Sequence, residues 1–236
     1  MRSAFGFGEA LVAVPLLALM MPVTVAAPIA ALVSITVAAI VVVQDWRHVW
    51  WKSAARLVLA TFAGIPVGLL LLTRAPEPIV KATLALVIIT FSIQGLRGAV
   101  RWHIAGNGAA WGFGLAAGVL GGAYGMNGPP LAVYGAARRW SPPEFRATLQ
   151  GYFLPASAAG MFGYWWIGLW TSSVTRLYLR SLPLVVAAIV LGRILNARLS
   201  AQRFSALIYM SLLIVAVILF AQSIHHDDSV IPLTVS

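Results

Sequence analysis

The chain contains no cysteine, which excludes a disulfide framework, a thiolate nucleophile and any cysteine-based metal site. Charge is almost as scarce. Lys, Arg, Asp and Glu together make up 9% of the 236 residues, where a soluble domain has about 25%. So few charges cannot cover a surface that faces water. With 61% hydrophobic residues and a mean hydropathy of +0.91, this is the composition of an integral membrane protein. Acids are scarcest, 6 against 16 basic residues, and there are 4 His. Most lie at the edges of apolar runs, so no cluster emerges that could hold a metal or run nucleophilic or acid–base chemistry. No catalytic residue, metal or cofactor is expected. The chain also lacks a GxxxxGK[ST] loop, hence any ATPase of its own. No basic face lies outside the bilayer, so nucleic acid is not an expected partner.

What remains is a series of apolar runs, each near the about 17–25 residues that cross a bilayer. They fall at Val25–Gln44, Ser53–Thr73, Pro78–Leu96, Phe145–Leu169, Val174–Leu195 and Arg203–Gln222. The joints between them are too short to hold a soluble domain. Trp46, Trp50, Trp51, Trp102 and Trp140 flank joints, as do Trp165, Trp166 and Trp170, as interfacial aromatic belts do without any ligand. Met1–Ala27 has features of a signal peptide, but Glu9 and Pro15 interrupt its apolar run, and the segment is expected to stay in the protein. The tail His225-His226-Asp227-Asp228 is a polar end, since adjacent His residues on a terminus rarely close a metal site. The expected fold is all-α, a polytopic transmembrane helical bundle.

One stretch breaks the pattern: GGAYGMNGPPLAVYGAARRWSPPEFRAT, residues 121–148. Glycines, prolines and Asn127 stand between two apolar runs, ahead of a basic turn. Within a membrane, broken helices are tolerated only beside a cavity or protein interior. The stretch has a partner: Phe5–Val14 aligns with Tyr124–Val133, while Pro22, Arg56, Gly64, Gly68 and Arg74 find later counterparts at slightly larger offsets. The chain is therefore expected to be one membrane domain, 1–236, with repeat 1 at about 1–104 and repeat 2 at about 105–225. Each half would hold one broken segment and three spanning helices. The four-residue spacing of Gly64 and Gly68 suits close helix packing.

Charge distribution bears on whether the broken segments span. If they do, the 16 basic residues divide evenly between the two faces. If each is a re-entrant hairpin, eleven basic residues, Arg97, Arg138, Arg139 and Arg146 among them, share one face against five on the other. The second division obeys the positive-inside rule and makes the halves inverted, a recurring transporter design. The net charge of +10 is first of all this topology signal. Attraction of an anionic substrate would need basic residues near the pathway.

The motif GxxGxxGPPLxxYxxxRxxxPxEFRAT, carried here by Gly122 through Thr148, together with GFGEALVAVPLL at 6–17, resembles the sulfite exporter TauE/SafE family over nearly the whole chain. The resemblance implies a bacterial inner-membrane, multi-pass transporter with two homologous halves. It implies small-anion substrates such as sulfite, sulfonates including sulfoacetate, or other organic acids. Two departures stand out. An arm, Gly108–Gly121, precedes the second motif, whereas little precedes Phe5; and Glu9 stands where a small residue is more usual.

A half-helix that begins in a cavity leaves unpaired N–H groups with partial positive charge, a seat for an anion. Gly125 and Gly128, and Gly6 and Gly8 in the first half, would let backbone amides approach it. The plainer alternative is tight packing at a kink. Pro129 suits the first turn of the following helix. Asn127 could donate from its amide. Tyr134 either lines the route or sits at an interface, and Arg146 either makes a bidentate contact with the anion or anchors a helix end. Glu9 is the one acid inside an apolar run, a candidate for proton coupling. The leading function is a secondary transporter, an exporter, of a small inorganic or organic anion. Its partners would be the lipid bilayer, a coupling ion (proton or sodium) and a second copy of the chain as a homodimer. The rival readings are a structural or accessory membrane subunit without transport activity, and a membrane-embedded enzyme, for which the residues supply no cluster.

Overall fold

Apolar runs in lipid must satisfy their backbone internally, and helices do so. The computed structural model describes residues 9–45, 51–98, 103–104, 106, 108–184 and 201–224, and every regular element among them is a helix. In order these are α1 (Glu9–Met20), α2 (Val23–Asp45), α3 (Trp51–Arg74), α4 (Glu77–Leu96), α5 (Ala109–Tyr124), α6 (Gly128–Ala137), α7 (Pro142–Trp166), α8 (residues 172–184) and α9 (Ala201–Ile224). Long helices occupy five of the six apolar runs expected from the sequence; of Val174–Leu195, residues 174–184 are helical and the rest lies outside the described residues. Pro15, Pro28, Pro66 and Pro155 lie inside helices. Among the described residues, Ala54–Arg74 and Glu77–Leu96 are long and apolar enough to cross a membrane. Their outward faces carry exposed Leu59, Phe62, Leu70 and Leu86, as a lipid-facing surface would. The fold is all-α, a helical bundle of a membrane protein.

The break in the second half is a hairpin. At about 1.5 Å per residue, α5 with 16 residues and α6 with 10 reach about 24 and 15 Å. Neither matches the about 30 Å of hydrocarbon. Their outer ends meet: the Ile104 N–H donates to Ala137 O at 3.0 Å, and Arg138 Nη1 donates to Gly106 O at 2.7 Å. The ring of Phe113, early in α5, lies 5.5 Å from that of Tyr134, late in α6. The chain enters and leaves through one mouth.

Small residues seat the hairpin against α3. A Cβ at Gly64 would run into Leu115 O, one at Gly68 into Val119 O, and one at Gly118 into Thr61 O. Contacts climb in step along both helices, so α3 and α5 run parallel with their backbones nearly touching. At its inner end the hairpin meets the start of α4, where the Tyr124 hydroxyl donates to Val80 O at 3.1 Å. It also meets the start of α2, where Gly125 abuts Ala27 O. Helix α4 thus runs back toward the mouth and ends beside it at Arg97. The mouth face carries Arg97, Arg138 and Arg139, and the opposite face Arg74 and Lys81. Around this centre α7 packs on α2 and α3, and α9 on α4, where Gly95 receives the ring of Tyr209.

Candidate functional site

The hairpin tip is built by opposed termination signals. Gly125 adopts φ 64°, the left-handed conformation that ends a helix. Its N–H donates to Gly121 O at 2.9 Å, and the Met126 N–H reaches back to Leu120 O at 3.3 Å. Gly125 therefore makes the turn, and its own amide is committed. Beyond it, neither the Asn127 nor the Gly128 N–H takes part in the backbone bonds found between elements among the described residues. Pro129 and Pro130 then open α6 and have no N–H to offer. The free backbone donors narrow to Asn127 and Gly128.

Asn127 is buried, 6% exposed. Its Oδ1 rests on Gly121, where a Cβ would collide with it, and its Nδ2 is buried without a hydrogen-bond partner. An unsatisfied buried donor of this kind costs about 1–3 kcal/mol. The tip thus gathers neutral donors in a buried place, the chemistry that holds an anion.

Residues far away in sequence frame these donors. The Tyr152 hydroxyl from α7 lies 2.6 Å from Thr61 Oγ1 of α3. Thr61 Oγ1 in turn donates to Gly114 O at 2.8 Å. The Tyr164 hydroxyl donates to Gly121 O at 2.8 Å, bracing the last turn of α5. Tyr152 and Tyr164 are both 0% exposed. Sequence reasoning did not single out Thr61, Tyr152 or Tyr164. The available signal was polar groups placed inside apolar runs, which in lipid must find partners.

The structure brings Gly125, Asn127, Gly128 and Pro129 together and places Tyr134 elsewhere. Tyr134 lies two turns along α6, at the mouth, in a chain of rings with Phe113, Trp140 at 5.4 Å and, beyond it, Phe145. Arg146 stands in the first turns of α7, with its side chain outside the described residues. Gly6 and Gly8 lie outside them altogether. Glu9 is the first residue of α1, and its side chain is likewise not described. A groove of about 620 Å³ between α3 and α7, lined by Phe62, Ile65, Leu69, Phe162 and Trp166, is apolar and opens outward. It is a different place from the hairpin tip.

An all-helical membrane bundle around a re-entrant hairpin, with open donors at the tip, is a transporter architecture. The chain belongs to the sulfite exporter TauE/SafE family, whose model matches residues 1–219, and that family is one of membrane transporters. Among curated proteins, the probable sulfite/organosulfonate exporter TauE of Cupriavidus necator is 25% identical over 195 residues, 81% of this chain and 76% of the relative. No solved structure matches the chain.

Proposed function

We propose that the protein is a multi-pass transporter of the bacterial inner membrane that exports a small anion, sulfite or an organosulfonate. The anion is seated at the α5–α6 tip by Asn127 Nδ2 and the Asn127 and Gly128 N–H groups. The observation that carries this is the buried, unpartnered Nδ2 of Asn127 beside two uncommitted backbone amides. The similarity to a probable sulfite/organosulfonate exporter supports the substrate class. Gly125 shapes the turn, Pro129 stiffens the start of α6, and Arg146 lies in α7 on the mouth side. The basic mouth face is cytoplasmic by the positive-inside rule. The inverted repeat belongs to the same proposal: α1 and α6 are each followed by three helices, and α2 and α7 begin at Val23 and Pro142. So does proton coupling through Glu9, with sodium as the other coupling ion and a homodimer as the assembly.

Sulfite and sulfoacetate flux into proteoliposomes tests the seat. Asn127→Ala removes one charge-assisted donor and is expected to lower kcat/KM at least tenfold, the order of effect of such a bond. Flux unchanged by Asn127→Ala would take the seat away from the tip. The absence of flux of any small anion in the unaltered protein would favour an accessory membrane subunit.

A further inference from the structure

We infer that the groove between α3 and α7 binds one anionic glycerophospholipid, with an acyl chain in the groove and the phosphate on Arg74. The inference does not depend on the anion seat. The α3 wall of the groove is the ridge Phe62, Pro66 and Leu70, residues four apart and so stacked along one face of the helix. One turn further along that ridge stands Arg74, the last residue of α3. At about 1.5 Å per residue, Phe62 and Arg74 lie about 18 Å apart. Half of a hydrocarbon layer about 30 Å thick is about 15 Å. The groove therefore runs from the interface opposite the mouth to the middle of the membrane, the depth of one leaflet.

The α7 wall explains why a groove forms. Small Ala159 and Gly163, one turn apart, line it, and a Cβ at Gly163 would stand 2.6 Å from Leu69 Cδ1. The two helices thus meet at Gly163. Beside that contact Phe162 and Trp166 rise 58% and 74% exposed, facing Phe62 and Leu70 at 44% and 55%. Trp166 and Trp170 mark this end as the membrane interface, where indole rings settle at headgroup level.

Size and charge choose the occupant. An α-helix about 10 Å across and about 18 Å long displaces about 1,400 Å³. The groove holds about 620 Å³, too little for a helix of a second copy and enough for a flexible hydrocarbon tail. Arg74 is exposed and makes no ion pair among the described residues. The nearest acid along the chain, Glu77, is paired with Lys81 at 3.1 Å. A guanidinium takes two phosphate oxygens in a fork, and a lipid of net negative charge adds an attraction that a zwitterionic one lacks. A lipid seated this way touches both α3 and α7, the helices that hold the hairpin, and stabilises their contact.

Native mass spectrometry with dioleoyl phosphatidylglycerol or dioleoyl phosphatidylcholine counts retained lipid, and melting in detergent with each lipid reads the stabilisation. Phosphatidylglycerol is expected to be retained about fivefold better, the scale of one basic residue at an anionic lipid surface, and to raise Tm by about 3 °C. Arg74→Gln, at an exposed helix end, brings the preference within about twofold. Arg176→Gln, near the start of α8, leaves it at about fivefold. Ala159→Phe fills the groove and lowers retention of both lipids about threefold; should it fail to fold, Leu70→Trp closes the groove from its exposed rim and is read the same way. The inference is overturned if Arg74→Gln keeps the preference, or if a filled groove retains lipid like the unaltered protein. Displacement of phosphatidylglycerol by an equal concentration of inorganic phosphate would also overturn it, by making Arg74 a site for the free ion. So would a filled groove that turns dimers into monomers with lipid retention untouched, which gives the groove to a second copy.

Discussion

Three tyrosine–threonine hydroxyl pairs cross helix boundaries among the described residues; Thr83–Tyr124 joins α4 to the hairpin arm α5, and the other two are wired differently from one another. Thr61–Tyr152 joins α3 to α7; Thr36–Tyr178 joins α2 to α8 at 2.5 Å. In each the threonine gives its own hydrogen to a carbonyl, so in each the tyrosine is the donor of the pair. Thr36 donates to Leu32 O of its own helix at 3.0 Å, while Thr61 donates to Gly114 O of the hairpin arm. Under the proposed repeat, α2 answers to α7 and α8 to α3, so the two pairs join corresponding helices with threonine and tyrosine exchanged. The buried pair is fastened to the hairpin, and the half-buried pair ends on its own helix. A hydroxyl bridge between helices is therefore ordinary membrane glue. The two differ in the carbonyl at the end, which for Thr61 belongs to the hairpin arm.

The strongest way to break the comparison is to push the hairpin off α3. Gly118→Leu places a side chain where Thr61 O and Gly64 Cα stand, and overpacking of this kind is expected to destabilise by about 3 kcal/mol. Thermal unfolding in detergent would show it. Gly112→Leu on the same helix, with nothing near its Cβ, should stay within about 0.5 kcal/mol. Equal losses from both would mean that close backbone approach does not hold the hairpin. Next in size comes Tyr152→Phe, expected to lower stability by about 1.5 kcal/mol because it strips a buried hydrogen bond. Smallest is Tyr178→Phe, at about 0.5 kcal/mol for a half-buried bond. A Tyr178→Phe variant that lost as much stability as Tyr152→Phe would erase the distinction between the two pairs.

Much of the frame was legible in the sequence because membrane helices write themselves as long apolar runs. The run Pro78–Leu96 became α4 (Glu77–Leu96), and Val25–Gln44 became α2 (Val23–Asp45). The break at Gly125–Pro130 was legible too, since a left-handed glycine and a proline pair are local chemistry that needs no partner. The hairpin's single mouth was foreshadowed only through charge: Arg138 and Arg139 belong with Arg97, and the bonds of residues 104 and 106 to 137 and 138 place them there. Tyr134 shows where local reading ends. Its two readings, route lining or interface, stayed open in the sequence, and the structure sets its ring against Phe113 and Trp140 at the mouth. Thr61 and Tyr152 were illegible for a related reason. They are 91 residues apart, and a single hydroxyl in an apolar run leaves no periodicity to detect.

The depth of the hairpin has an electrical consequence. Gly121, against which the Asn127 side chain rests, is the thirteenth residue of α5, so it lies about 18 Å along that arm. In a hydrocarbon layer about 30 Å thick this is past the halfway point from the mouth. Moving one elementary charge across 100 mV is worth about 2.3 kcal/mol. If the proposed seat and a cytoplasmic mouth hold, an anion that travels to that depth crosses more than half of the electrical drop, in the direction an inside-negative potential drives it. The step into the seat would already be voltage-sensitive, and the cell's resting potential would load the carrier for outward movement before any conformational change begins.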